Sequence, residues 1–270
     1  MKRLQPSAET AVITASKTKT MNTMKTMTKP EAILTSSLII LIISIFVILF
    51  LSGCAYERIE GNYDLETESR TEEPFTEIIS SGSFRVFITP DSVTSIDVKA
   101  ESNILPYLYT ISDGHTLRIG FKNGYNIREN YPVEVFIHTP HVTGLRLQGS
   151  GLVECIGFEE ETVELDLSGS GNIDADFECT SMDASISGSG DIHLSGVSDN
   201  SELKISGSGK IHALDFTQKT CDAFISGSGD IYTDVVETLD ARISGSGCVY
   251  YTGDPDIDTN ISGSGRVRRY

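Results

Sequence analysis

Four side chains suited to gripping a polar ligand recur at near-constant intervals late in this 270-residue chain. They are His193, His212, Tyr232 and Tyr250, spaced by 19, 20 and 18 residues. Two positions ahead of them stand Asp191, Lys210, Asp230 and Cys248. Asp191, His193, Lys210, His212, Asp230, Tyr232 and Tyr250 together have the polar and aromatic mix of a glycan-binding strip, and the two imidazoles suit a metal. Asp191, Lys210 and Asp230 alternate in sign, so neighbouring strands would pair them favourably. The plainer account is that outward residues of a stacked repeat tend to be alike for packing reasons.

A second set is purely acidic: Glu164, Asp183, Glu202, Asp222, Asp240 and Asp258, at intervals of 18 to 20 residues. Carboxylates held side by side repel, and a divalent cation relieves the repulsion. Asp183, Glu202, Asp222 and Asp240 are therefore candidate ligands for calcium, which favours several oxygens. Against this, acidic residues that open a strand can simply cap a turn and splay into water. The Gly-Gly-x-Gly-x-Asp nonapeptides of calcium-binding repeats are absent. Residues suited to acid–base catalysis are Asp191, Asp230, His193, His212 and Lys210. No isolated carboxylate pair has an apolar neighbour to separate its two pKa values, and neither a nucleophile elbow nor a His-Glu-x-x-His motif occurs. The expectation is a protein that is not an enzyme.

The third reactive residue is Cys54. An apolar run from Leu38 to Leu51 ends in Leu51-Ser52-Gly53-Cys54, which resembles a bacterial lipobox: an aliphatic residue, two small residues that fit a peptidase cleft, and a thiol that accepts a diacylglycerol. Residues 1–53 carry six basic and two acidic residues, leaving 15 basic and 36 acidic in 54–270. The overall charge of −17 thus hides a cationic targeting segment and a body at −21. That balance excludes a nucleic-acid binder, whose affinity comes from Lys and Arg neutralising phosphates. Residues 1–53 read as a signal peptide, with Met21, Met24 and Met27 as alternative starts. Lipidation at Cys54 would hold the protein to a membrane of the cell envelope, the outer membrane first. The Glu- and Thr-rich stretch 54–74 reads as a solvated acidic tether.

These residues need a scaffold, and the spacing names it. Gly-Ser-Gly occurs seven times, starting at Gly149, Gly169, Gly188, Gly207, Gly227, Gly245 and Gly263. Two positions before each first Gly stand Leu147, Leu167, Ile186, Ile205, Ile225, Ile243 and Ile261; four after stand Val153, Ile173, Ile192, Ile211, Ile231, Val249 and Val267. The column four before (Leu145, Leu165, Ala184, Leu203, Ala223, Ala241, Thr259) is inward by alternation. The pattern predicts an all-β, parallel β-helix-like solenoid over 146–270, with right-handed coils about 4.8 Å apart. One coil reads as a strand, a Gly-Ser-Gly corner, a second strand and a return loop of six to eight residues. A left-handed hexapeptide helix would need a further aliphatic column, but that position holds Glu159, Cys179, Ser198, Thr217, Glu237 and Pro255.

Residues 75–145 form a strand-rich N-terminal part of the domain. Alternating runs such as Phe84–Ile88 and Val133–Ile137 are bounded by the turn signals Pro90-Asp91, Asp113-Gly114 and Asn123-Gly124. Cys155, Cys179, Cys221 and Cys248 fall in four different columns, so no coil-to-coil disulfide is expected. Arg266, Arg268, Arg269 and Tyr270 place charge at the last strand, which discourages end-to-end stacking; read functionally, the same cluster would meet anionic lipid or glycan.

The recurring Ile-Ser-Gly-Ser-Gly-Asp-Ile core, as in Ile186–Ile192 and Ile225–Ile231, follows a strand-rich segment opening near Phe75. It resembles the head GIN domain of auto-transporter adhesins across about Phe75–Val267. The resemblance implies a parallel β-helix, an envelope location in Bacteroidetes-type bacteria, and adhesion or glycan binding; it brings no catalytic motif. The reading is a lipid-anchored binding or adhesion module recognising glycan or an envelope protein. The alternatives are a periplasmic structural or signalling partner and a polysaccharide-processing enzyme of β-helix type.

Overall fold

Each Gly-Ser-Gly turns the chain through a corner too tight for a side chain. Gly227 has φ +135°, and a Cβ there would overlap the Gly207 carbonyl oxygen of the preceding coil; at Gly229 a Cβ would stand 2.7 Å from Ile205 Cγ2. With that space empty, the Ser228 and Gly229 amides both donate to the Gly207 carbonyl, at 2.8 and 3.1 Å.

The computed structural model describes residues 57–270; the targeting segment and Cys54 lie outside the described residues. The strands are β1 (Glu57–Glu60), β2 (Leu65–Arg70), β3 (Glu77–Gly82), β4 (Arg85–Pro90), β5 (Ser95–Glu101), β6 (Leu108–Ser112), β7 (Thr116–Phe121), β8 (Tyr125–Arg128) and β9 (Glu134–Thr139). They continue with β10 (Gly144–Gly149), β11 (Leu152–Gly169), β12 (Asn172–Gly188), β13 (Asp191–Gly207), β14 (Lys210–Gly227), β15 (Asp230–Gly245), β16 (Cys248–Gly253), β17 (Asp256–Gly263) and β18 (Arg266–Arg269). Among the described residues no helix is long and apolar enough to cross a membrane.

From β10 to β18 the chain is the expected parallel solenoid of about seven turns. Corner stacks on corner, from Gly149↔Gly169 to Gly245↔Gly263. Leu147, Leu167, Ile186, Ile205, Ile225 and Ile243 form one internal ladder, and Val153, Ile173, Ile192, Ile211, Ile231 and Val249 the other; all are at most 2% exposed. Each contributes roughly 1.5–3 kcal/mol by leaving water. The last members are less covered: Ile261 is exposed and Val267 only partly buried, because among the described residues nothing stacks beyond β17 and β18.

The return segment departs from the expected loop. It stays in the ladder, pairing Phe158↔Phe177, Glu159↔Glu178 and Glu160↔Cys179 before resuming at Thr162↔Ser181. The returns pair across bulges, at Ile156/Phe158, His193/Ser195, Ala213/Thr217 and Gln218/Thr220, so most of their backbone is satisfied one coil away without period-two alternation in the sequence. Phe158, Phe177 and Phe216 fill its interior. So does a polar chain in which the Gln218 amide nitrogen donates to Thr233 Oγ1 at 2.5 Å and Ser201 Oγ meets Gln218 Oε1. The four described cysteines are free, Cys155 and Cys221 buried.

The N-terminal part adds a coil that the repeat count misses. β3 pairs in parallel with β10, setting Gly82 (φ +149°) under Gly149. Phe84 stands where later coils have their second glycine; it is 1% exposed and packs edge-on against Phe121 at 4.9 Å, closing that end of the core. The antiparallel β6–β7 hairpin pairs onto β3 and protects the edge.

Residues 57–70, expected within a solvated tether, are folded instead. β2 pairs antiparallel with β5 and β1 parallel with β8. Glu101, 1% exposed, holds this layer by accepting the Tyr63 amide at 2.6 Å, the Asn130 amide at 2.8 Å and Asn130 Nδ2 at 3.1 Å. Arg70 Nη1 and Nη2 donate to the Leu108 and Leu105 carbonyls at 3.1 and 3.2 Å. Backbone pairing and two charged anchors order a segment whose own side chains bury little.

Candidate functional site

The strands that leave each corner carry the predicted ring ladder. His193 and His212 stack at 4.5 Å with 9° between planes, His212 and Tyr232 at 5.1 Å and 7°, Tyr232 and Tyr250 at 4.9 Å and 12°. The four rings form one continuous stack. Tyr270 adds an edge-on contact to Tyr232 at 5.9 Å and to Tyr250 at 6.4 Å. Stacking has a chemical consequence. Both faces of His212 and Tyr232 are covered by neighbouring rings, so the ladder offers solvent a line of ring edges, with imidazole nitrogens and phenol oxygens, rather than flat apolar faces. Burial, then the neighbouring His193, pushes the His212 imidazole below its usual pKa against an opposing pull from Asp191.

Beside the His end lies a cavity of about 490 Å³ lined by Asp174, Asp176, His193, His212, Leu214 and Asp215 among others. Asp176 and Asp215 face each other through Ser195 in the register; the sequence offered no column to single them out. The expected alternation of Asp191, Lys210 and Asp230 is realised differently. Asp191 Oδ1 accepts the Lys210 backbone amide at 3.1 Å, and Asp230 Oδ1 accepts the Cys248 amide at 2.9 Å. Among the described residues the Lys210 ammonium makes no ion pair with either. The carboxylates lie at the corner exit, where the next coil's amide is nearer than the lysine head group.

The strands entering each corner carry the acidic column, in register from Glu164 through Asp183, Glu202, Asp222 and Asp240 to Asp258. Basic side chains two residues further on serve it. Lys204 Nζ lies 3.3 Å from Asp183 and 2.9 Å from Glu202; Arg242 Nη2 is 2.5 Å from Asp240. Arg146 Nη2 reaches Asp166 at 2.6 Å and Glu164 at 3.8 Å. Among the described residues no three His, Cys, Asp or Glu side chains converge as a metal set would. Asp183, Glu202, Asp222 and Asp240 thus line up as expected, with resident cations supplying part of the counter-charge.

Next to that column runs a trough of about 700 Å³ that sequence reasoning missed. Its lining includes Lys204, Phe224 and Arg242, the serines Ser187, Ser206, Ser226 and Ser244, and Glu202. The middle column here reads Arg146, Asp166, Ser185, Lys204, Phe224, Arg242, Asn260, too varied to attract notice. The serine column was legible, since Ser168, Ser187, Ser206, Ser226, Ser244 and Ser262 all precede a corner.

A family model described as "Putative auto-transporter adhesin, head GIN domain" matches residues 74–255. Among solved structures, a putative lipid binding protein from Parabacteroides distasonis is 26% identical, with a TM-score of 0.68, covering 79% of this chain and 100% of that one. A putative adhesin from Bacteroides fragilis is 23% identical with a TM-score of 0.74, covering 78% and 100%. Another, from Parabacteroides merdae, is 22% identical with a TM-score of 0.60, covering 79% and 99%. No curated protein matches the chain.

Proposed function

The chain belongs to the head GIN domain family of auto-transporter adhesins, and from that premise we propose that it is an envelope adhesion module that recognises saccharide on its outward solenoid faces. The observation that carries this reading is the four-ring ladder from His193 to Tyr250. A solenoid core needs its inward ladders; it has no need of two imidazoles and two phenols in line on the outside. Such a row of polar edges suits an extended ligand whose hydroxyls repeat along its length. Binding rather than turnover is favoured because Asp191 and Asp230, the best-placed acids, are engaged by backbone amides of the next coil. The family and the solved relatives are described as adhesins or binding proteins, in keeping with a role outside catalysis.

Anchoring belongs to the same proposal. Leu51-Ser52-Gly53-Cys54 at the end of an apolar run supports acylation of Cys54, which would hold the domain at a membrane of the envelope. Multiple acyl chains anchor stably, each buried methylene adding about 0.8 kcal/mol. Labelling of cells with an alkyne fatty acid tests this: the wild type takes up label and Cys54→Ser does not.

A second reading, a protein partner in the periplasm, draws on the exposed aliphatics Ile156, Val197 and Val236 of the return segments. Protease shaving of intact cells separates the two, since only a surface adhesin is trimmed. The test of saccharide recognition is a glycan array probed with the full chain purified in detergent. A saccharide hit that weakens with Tyr232→Ala supports the ladder; an empty array rejects saccharide binding.

A further inference from the structure

We propose that the trough on the strands entering the corners is a second saccharide subsite whose apolar platform is Phe224. The assignment rests on the reading of the domain as a saccharide-binding module and says where on it a sugar ring can lie flat. The ladder cannot supply that platform. Its inner rings spend both faces on one another, leaving edges for hydrogen bonding. A pyranose has an apolar C–H face that must cover something apolar, and a binding site for it combines such a surface with a few placed polar groups.

Phe224 meets that need. It is half-buried among outward residues of neighbouring coils, with Lys204 in register on one side and Arg242 on the other. The Arg242 guanidinium sits 5.1 Å from the ring centroid and covers that side as a cation–π contact. On the other side the Lys204 ammonium is drawn away, to Asp183 and Glu202. One side of the ring is therefore held by Arg242, and Phe224 lines the trough beside Lys204.

The polar groups lie where a ligand on that ring would need them. Ser187, Ser206, Ser226 and Ser244 line the corner side at one hydroxyl per coil, a repeat of about 4.8 Å. Among the described residues none of the four makes a side-chain hydrogen bond, so each offers a donor and an acceptor. From Ser187 to Ser262 the row crosses four coil spacings, roughly 19 Å, and its volume of about 700 Å³ is that of a ligand site. An oligosaccharide fits this length better than a single sugar. The charges define the class further. Lys204 is already paired with Asp183 and Glu202, and Arg242 with Asp240, so the lining is close to charge-balanced and complements an uncharged ligand. A polyuronate would meet a body carrying −21, and an acyl chain would leave the serine row without partners.

The test is a set of titrations of the full chain in detergent with cellohexaose, xylohexaose, mannohexaose and maltohexaose. Hexagalacturonate and phosphatidylglycerol vesicles serve as charged and lipid probes. Phe224→Ala, Phe224→Tyr and Tyr232→Ala are compared with wild type, with circular dichroism to confirm that each is folded. The expected result is binding of at least one neutral hexasaccharide that Phe224→Ala weakens about tenfold, roughly 1.4 kcal/mol, and that Phe224→Tyr keeps. A saccharide whose binding depends on Tyr232 and not on Phe224 overturns the subsite while leaving the parent reading in place. Failure of every neutral hexasaccharide also overturns it, and an empty glycan array takes the parent reading with it. Phe224-dependent binding to the vesicles alone overturns it in favour of a lipid surface.

Discussion

Substituting Gly227 by alanine should break the solenoid at one coil, and the structure sets the size of the effect. At φ +135° an L-residue is held in a region open almost only to glycine, a penalty of about 1–3 kcal/mol. The added methyl would also overlap the Gly207 carbonyl oxygen. That oxygen accepts the Ser228 and Gly229 amides at 2.8 and 3.1 Å. Parting the two coils weakens both bonds, each worth about 0.5–1.5 kcal/mol net. The sum is about 2–6 kcal/mol, a large share of the 5–15 kcal/mol typical of a whole domain. Because each coil touches only its neighbours, the loss should be local first. Urea denaturation followed by circular dichroism measures the total, and hydrogen exchange locates it, with faster exchange at β13–β15 than at β3–β9. Ser228→Ala, at an exposed corner position, is the control and should stay within about 0.5 kcal/mol of wild type. A Gly227→Ala protein as stable as that control would refute the idea that the corners need glycine for steric reasons.

Three further outcomes follow from the charged groups. Burial works to raise the Glu101 carboxyl, but hydrogen bonds from the Asn130 and Tyr63 amides outweigh it and hold the pKa below the usual range. Its stabilisation is therefore complete above the ordinary glutamate value of about 4.3 and is lost as pH falls through the lower folded-state value. Glu101→Gln turns one acceptor into a donor facing buried amides and should cost about 1–3 kcal/mol at pH 7, with a shallower acid limb in a stability–pH titration. His212, lowered by burial and by His193, should titrate below about 6.5 when followed by NMR. The stacked state then loses stability as pH drops from that value through the folded-state pKa; a normal or raised value contradicts the stacked, half-buried environment. Lys204→Ala leaves Asp183 and Glu202 without their shared cation and should cost about 0.2–1 kcal/mol, as exposed pairs do. Calcium should then raise the Tm of the variant more than that of wild type; equal shifts would mean that the acidic column has no use for a cation.

What could be read from the chain, and what could not, divides along a physical line. A solenoid places the same column of every coil in the same environment, so the ladders ending at Ile243 and Val249 and the acids from Glu164 to Asp258 announce themselves by repetition. Phe224 is invisible to that logic because it is one ring in a column otherwise holding Arg146, Asp166, Ser185, Lys204, Arg242 and Asn260. Glu57–Glu60 and Leu65–Arg70 escaped notice because exposed edge strands need neither alternation nor aliphatics; distant Glu101 and Asn130 order them. The coil through Gly82 was hidden by a single change, Phe84 in place of the second corner glycine, which is tolerated at an end where no tighter coil lies beneath. Even the ladder was only half legible. Its positions were clear, but its use of ring faces for stacking, and so of ring edges for recognition, required the interplanar angles.

The central claim is that a regular core carries recognition on its outward faces. Backbone amide shifts mapped by NMR, as a neutral oligosaccharide selected on the array is titrated into the protein, test it most directly. The account predicts perturbations along the trough from Ser185 to Ser262 and along the His193–Tyr250 ladder, with the buried ladders and β3–β9 unmoved. Shifts confined to the N-terminal strands or to the open edge at β17 and β18 would contradict it.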